Sequence, residues 1–114
     1  MHALVVEDEL VIALGLKAIL QGMEFAEVTV VGTLNDLRNL GDIRVDLAIF
    51  DANLPDGCGR EVAEEYAQRG VPTLIHSGHI TRDQVSNNEH IRFLPKPSTR
   101  AEIKATIKSV LGTD

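Results

Sequence analysis

Five short apolar runs constrain this chain more than anything else in it: Ala3–Val6, Val28–Val31, Leu47–Phe50, Thr73–Ile75 and Ile91–Leu94. A strand with one wet face alternates apolar and polar residues, whereas a strand covered on both faces does not. These runs are continuous and rich in β-branched residues, which describes buried strands of a parallel sheet. Segments of helical period lie between them. Leu10, Leu14 and Ala18, with Val11 beside them, form an apolar stripe that ends near Gly22. Thr33 is placed to cap a short helix carrying Leu34 and Leu37, with Gly41 just past its end. Val62, Ala63, Tyr66 and Ala67 form a third stripe, closed by Gly70 and followed by Pro72. Ile103, Ile107, Val110 and Leu111 recur at one amphipathic face. Thr99 and Glu102 stand at the spacing of a capping box before it.

One stretch breaks the pattern. Ile80–His90 has only Ile80 and Val85 as large apolar residues, and Ser86-Asn87-Asn88 favours turns over helix. A fourth helix there is expected to be short or irregular. Strands alternating with helices give an α/β protein with a doubly wound parallel sheet. Right-handed crossovers leave few topologies for so short a chain. The expected fold is flavodoxin-like and five-stranded, in the order 2-1-3-4-5. The first and third strands then meet at the switch point, where such sheets place their sites. With 114 residues and neither repeat nor linker, residues 1–114 are expected to form one domain.

Composition excludes several classes. Apolar residues make up 44% and charged residues 25%, the balance of a globular protein rather than a disordered one. No apolar run approaches the ~20 residues of a membrane span. Ala3–Val6 is too short for a signal-peptide core and runs straight into Glu7-Asp8-Glu9. The single cysteine, Cys58, allows no internal disulfide and fits a reducing, cytoplasmic setting. The net charge is −6, so direct nucleic-acid binding is not expected. Residues 1–57 hold 10 acids and 3 bases, which favours a cation or a basic partner there.

The chemistry-bearing residues follow the apolar runs. Glu7 and Asp8 follow the first strand, Asp51 the third, Ser77 the fourth and Lys96 the fifth. In a parallel sheet these ends share one edge. Three clustered carboxylates repel one another, and burial worsens it. Lys96 supplies one compensating charge; a divalent cation supplies two. Mg²⁺ prefers oxygen ligands, takes one or two carboxylates and completes its shell with water or phosphate oxygens. The constellation reads as a Mg²⁺-dependent phosphoryl site in which an Asp carboxylate is the nucleophile. Singly, each residue has a plainer reading: Asp8 as a helix cap, Asp51–Gly57 and Ser77-Gly78 as turns, Lys96 as a solvated lysine. Their coincidence favours the joint site. Cys58 reads as a small loop residue and His76 as a strand residue. Arg82, Arg92, Lys96, Arg100, Lys104 and Lys108 read as a solvated basic face, with an acidic protein surface as their functional target if they have one.

At these residues the sequence resembles the receiver domain of bacterial two-component response regulators. The resemblance covers Leu4 to Leu111. Its motifs are Leu4-Val5-Val6-Glu7-Asp8-Glu9, then Leu47-Ala48-Ile49-Phe50-Asp51-Ala52-Asn53-Leu54-Pro55 with Gly59, Leu74-Ile75-His76-Ser77-Gly78, and Phe93-Leu94-Pro95-Lys96-Pro97. The four in this order and spacing are highly specific. The resemblance implies that Asp51 accepts a phosphoryl group from a histidine on a sensor kinase or histidine phosphotransfer protein. It implies a Mg²⁺ ion, or Mn²⁺ in its place, held by Asp8, Asp51, the backbone carbonyl of Asn53 and Glu7. Ser77 and Lys96 would meet phosphoryl oxygens, and Gly59 would allow the turn into the third helix. The Lys96–Pro97 peptide is often cis in such domains. Ser77 and Phe93 would form the switch, and Asn53 and His79 would occupy positions that tune the phosphoryl lifetime. Phe93 has the plainer reading of a fifth-strand core residue, and Ser98 stands where many relatives carry an aromatic.

Two other classes compete. A pseudo-receiver would be an interaction domain without phosphoryl chemistry, and the full residue set argues against it. A small Asp-nucleophile phosphohydrolase of the haloacid-dehalogenase kind usually has a second Asp two residues on, where this chain has Asn53. The expectation is therefore a phosphoacceptor signalling domain, not an enzyme.

Overall fold

The computed structural model describes residues 1–78 and 88–112. His79, and with it most of the Ile80–His90 stretch and the short fourth helix expected there, lies outside the described residues. The elements run β1 (His2–Val6), α1 (Leu10–Gln21), β2 (Glu27–Val31), α2 (Leu34–Asn39) and β3 (Leu47–Asp51). After these come β4 (Asn53–Leu54), β5 (Gly57–Cys58), α3 (Gly59–Gln68), β6 (Thr73–Ser77), β7 (Ile91–Pro95) and α4 (Arg100–Leu111). The main sheet has the order β2-β1-β3-β6-β7, with all four pairings parallel. Counting only these strands, this is the expected 2-1-3-4-5 order of a flavodoxin-like fold. The remaining pair, β4 and β5, forms a two-stranded antiparallel ribbon, with Asn53 opposite Cys58 and Leu54 opposite Gly57. This ribbon occupies the segment whose plainer sequence reading is a turn.

Strand parity divides the core in two. Ala3, Val5, Leu47, Ile49, Leu74 and Leu94 pack with residues of α1 and α4. Leu4, Val6, Ala48, Phe50, Ile75 and Ile91 pack with α2 and α3. Both faces of β1 and β3 are thereby covered, and this is why their sequences carry no alternation. On the α3 side, Phe50 meets Tyr66 edge to face at 5.2 Å between ring centroids.

Helix α1 buries a different face from the one its sequence stripe indicated. Ala13, Leu16, Ile19 and Leu20 are buried, whereas Leu10, Val11 and Leu14 are 68%, 85% and 52% exposed. The helix is apolar nearly all round, so period alone does not choose the inward side. The other helices keep their expected faces, with Leu34 and Leu37 buried in α2, Ala63, Tyr66 and Ala67 in α3, and Ile103, Ile107 and Val110 in α4.

Caps explain where the helices start. Thr33 Oγ1 accepts from the Asp36 N–H at 3.0 Å, and the Asp56 carboxylate accepts from the Leu34 and Asn35 N–H groups at 2.9 Å each. Helix α2 is thus capped twice, once locally and once from the β4–β5 turn. At α4, Thr99 and Glu102 form a reciprocal capping box. Thr99→Ala is expected to lower the unfolding free energy by about 1 kcal/mol. Urea denaturation would show this as a lower midpoint at unchanged slope.

Candidate functional site

Parallel strands bring their C-terminal ends to one edge, and four of these ends carry polar side chains. Glu7 follows β1, Asp51 ends β3, Ser77 ends β6 and Lys96 follows β7. Glu7, Asp8 and Asp51 each offer a carboxylate oxygen, and these oxygens lie within 4.8 Å of one another. Glu7 and Asp51 are buried, 3% and 5% exposed, while Asp8 faces solvent. Lys96 Nζ lies 3.3 Å from Glu7 Oε2 and 3.3 Å from Asp51 Oδ2. The second oxygen of each buried acid meets backbone. The Glu9 N–H donates to Glu7 Oε1 at 3.2 Å, and the Asn53 N–H donates to Asp51 Oδ1 at 3.0 Å. Glu7 Oε2 has the ion pair but no directed hydrogen bond among the described residues.

The charges perturb one another. Burial pushes the Glu7 carboxyl up to about 7; the Glu9 N–H opposes this, and the neighbouring Asp51 charge adds to it. Burial lowers the Lys96 ammonium, but the Glu7 and Asp51 carboxylates outweigh that effect and hold it above its usual value. His76 is buried on the α1–α4 side of β6, with both ring nitrogens lacking hydrogen-bond partners among the described residues. Burial, with Lys96 nearby, pushes its imidazole down to about 4, so the ring is neutral at pH 7.

The loop after Asp51 is tightly tied. The Ala52 N–H donates to the His76 carbonyl at 3.0 Å, and the Gly59 N–H to the Ala52 carbonyl at 3.1 Å. Gly59 opens α3 against the Asp51 carbonyl oxygen, where a Cβ would overlap that oxygen. Its role is close approach rather than the turn freedom the sequence reading gave it, since its backbone is not left-handed. The Lys96–Pro97 peptide is cis. On the opposite side, Lys96 N–H donates to the Ser77 carbonyl at 2.9 Å, which joins the ends of β6 and β7.

Several residues singled out by sequence have plain placements. Asp8 does not cap α1: Glu9 is the N-cap residue and contributes no side-chain cap bond. Asn53 opens the ribbon and is exposed, as is Cys58. Phe93 is half-buried against the α2–α3 core cluster, with the Arg60 guanidinium 5.4 Å from its ring centroid. Arg60 also pairs with Glu64 at 3.4 Å. Sequence reasoning missed Arg60, and it missed Asp56 as a cap, because both contacts join residues far apart in the chain.

The donor set fits a hard divalent cation. It offers three carboxylates at close range, two of them buried, with one lysine to offset them. The acidic cluster and Lys96 sit at the switch point of the sheet, where doubly wound α/β folds bind their ligands. The family model for the response regulator receiver domain matches residues 3–108, and the chain belongs to that family. Receiver domains are signalling domains that bind Mg²⁺ in an acidic pocket and partner with histidine kinases. The chain is 29% identical, over 95% of its length, to a Haloferax volcanii protein proposed to be a transcriptional regulator. It spans about a fifth of that relative's length.

Solved structures agree on the fold. A CheY-like receiver domain protein from Methanospirillum hungatei superposes with a TM-score of 0.78 at 24% identity, covering 97% of this chain and 93% of that one. The receiver domain of the sensor histidine kinase PA1611 from Pseudomonas aeruginosa superposes with a TM-score of 0.77 at 23% identity, covering 98% of each. That structure has a magnesium ion coordinated in its active-site cleft.

Two outcomes are expected. Glu7 titrates higher folded than unfolded, so its contribution is present below pH 4.5 and is lost as pH rises through about 7. His76 titrates lower folded, so its contribution is lost as pH falls from 6.5 through about 4. Between pH 4.5 and 6.5 the two slopes oppose. In chelator, Glu7→Gln should therefore gain stability across that window, by at most about 1.4 kcal/mol per pH unit relative to wild type. Urea unfolding at several pH values checks this. Gly59→Ala is expected to destabilise by roughly 1–3 kcal/mol, since the clash is with backbone, as a lowered denaturation midpoint would show.

Proposed function

We propose that the chain is a phosphorylatable receiver of a two-component phosphorelay, working in the cytoplasm, with residues 1–114 acting as one domain. The observation that carries this reading is the position of Lys96 Nζ, 3.3 Å from both Asp51 and Glu7 at the sheet edge. The lysine is already bonded to the proposed nucleophile and stands where charge on a transferring group would develop.

In this reading an Asp51 carboxylate oxygen attacks the phosphorus of a phosphohistidine on a sensor kinase or histidine phosphotransfer protein. The P–O bond to Asp51 forms as the P–N bond breaks, and the imidazole leaves with the electron pair. Lys96 and the Ser77 hydroxyl hold phosphoryl oxygens. Glu7, Asp8, Asp51 and the Asn53 backbone carbonyl would hold Mg²⁺, or Mn²⁺, which supplies charge neutralisation for the transferred group. With the Glu7 carboxyl raised to about 7, a metal ion there competes with a proton, so metal affinity is expected to rise with pH. Ser77 and Phe93 form the switch, and Asn53 and His79 border the phosphoryl group and tune its lifetime. The output is a change in protein partner; the −6 charge supports neither nucleic acid nor an anionic membrane as a direct target.

Intact mass after incubation with Mg²⁺ and a small-molecule acyl phosphate tests this. Wild type is expected to gain one acid-labile phosphoryl group and Asp51→Asn none. Asp8→Asn is expected to weaken Mg²⁺ binding at least tenfold, and Lys96→Ala to leave phosphorylation uncoupled from any change at Phe93. Equal labelling of wild type and Asp51→Asn would reject the site. No labelling despite measured Mg²⁺ binding would favour the pseudo-receiver, and turnover of a phosphate ester would favour the phosphohydrolase.

A further inference from the structure

A cavity of about 520 Å³ lies between α1 and α4, behind the Lys96–Pro97 turn. It is within the size range of small-molecule sites. Its walls are apolar, formed by Ile12, Leu16, Ile19 and Ile103. His76 lines it. That side chain is 5% exposed, and neither ring nitrogen has a hydrogen-bond partner among the described residues. A neutral imidazole needs one acceptor and one donor, and leaving both unmet underground is unfavourable. Gly15, in the middle of α1, also lines the cavity. Its backbone is not left-handed, and a Cβ there would meet nothing within 4 Å. Glycine is a poor helix former, so the fold alone does not call for it; what it does is widen the cavity.

We infer that this cavity is a binding site for an uncharged, largely apolar small molecule carrying one alcohol, phenol or amide group, which pairs with His76. The charges around it select against ions. An anion would approach the three carboxylates beside Lys96, whose ammonium is already shared by Glu7 and Asp51. A cation would lose its water against four aliphatic side chains while facing that same lysine. At the rim, Glu9 and Arg100 offset each other. The cavity adjoins the carboxylate cluster through Lys96, which borders both, but it needs neither metal nor phosphoryl group.

Titration of the isotope-labelled full chain with benzyl alcohol, and in parallel with toluene, tests the inference by NMR without Mg²⁺ or phosphodonor. Saturable shifts confined to the Ile12, Ile19 and Ile103 methyls and the His76 ring are expected, with benzyl alcohol the tighter probe by up to roughly tenfold, the scale of one net hydrogen bond. Gly15→Leu, which places a side chain in the cavity, should weaken both probes at least tenfold. His76→Phe should abolish the preference for benzyl alcohol. Linear, unsaturated shifts, or unchanged binding in Gly15→Leu, would overturn the site. If His76→Phe does not fold, Gly15→Leu decides alone.

Discussion

The Lys96 ammonium, held between the Glu7 and Asp51 carboxylates, is the interaction on which the rest of this structure depends. Two acids buried side by side at a sheet edge are unfavourable on both counts, repulsion and desolvation. One lysine relieves them by pairing with both at 3.3 Å. The relief is incomplete, as the raised Glu7 carboxyl shows. A fully neutralised edge would be a closed structural ion pair. An edge that stays short of positive charge is one that still favours a cation, and the exposed Asp8 carboxylate beside it leaves that cation an open side.

Everything near Lys96 serves to hold this balance in place. Its own N–H bonds the end of β6, and the Ala52 N–H bonds the His76 carbonyl from the other side, so β3, β6 and β7 are tied where the charges meet. Gly59 lets α3 close onto the Asp51 carbonyl. Asp56 fastens the ribbon that follows to the start of α2. The Asp51 carboxylate therefore sits at the end of a strand whose neighbours are tied to it and to each other by backbone hydrogen bonds.

Much of this was legible in the sequence. The unbroken runs around Val5, Ile49 and Leu74 are what two-sided burial requires, and parallel strands with right-handed crossovers left few orders, among them the one observed. The residues at the edge could be named because each lies within two positions of the end of its run. What failed to show had physical reasons. In α1, Leu10, Val11 and Leu14 are as apolar as Ala13, Leu16 and Ile19, and only the packed structure decides between faces. The Asp56 cap spans 22 positions, and the Gly59 contact depends on where α3 returns, so neither has a local signature. His76 looked like an ordinary strand residue; its burial without partners is a property of the assembled α1–α4 face.

Phe93 lies close to this edge, half-buried and with a guanidinium over its ring. Its neighbours in β7, Ile91 and Leu94, are buried, but Phe93 is only half covered, and what lies over its outer side is Arg60. A cation–π contact at an exposed site contributes about 0.5–1 kcal/mol. The Arg60–Glu64 pair that steadies the guanidinium adds about 0.3–0.5 kcal/mol. These contacts add to the packing of the half-buried ring against the α2–α3 core cluster. In the proposed reading, a charge arriving at Asp51 would act first on Lys96, which follows the strand carrying Phe93. Ion pairs and backbone hydrogen bonds hold the acids, while core packing and a cation hold the aromatic.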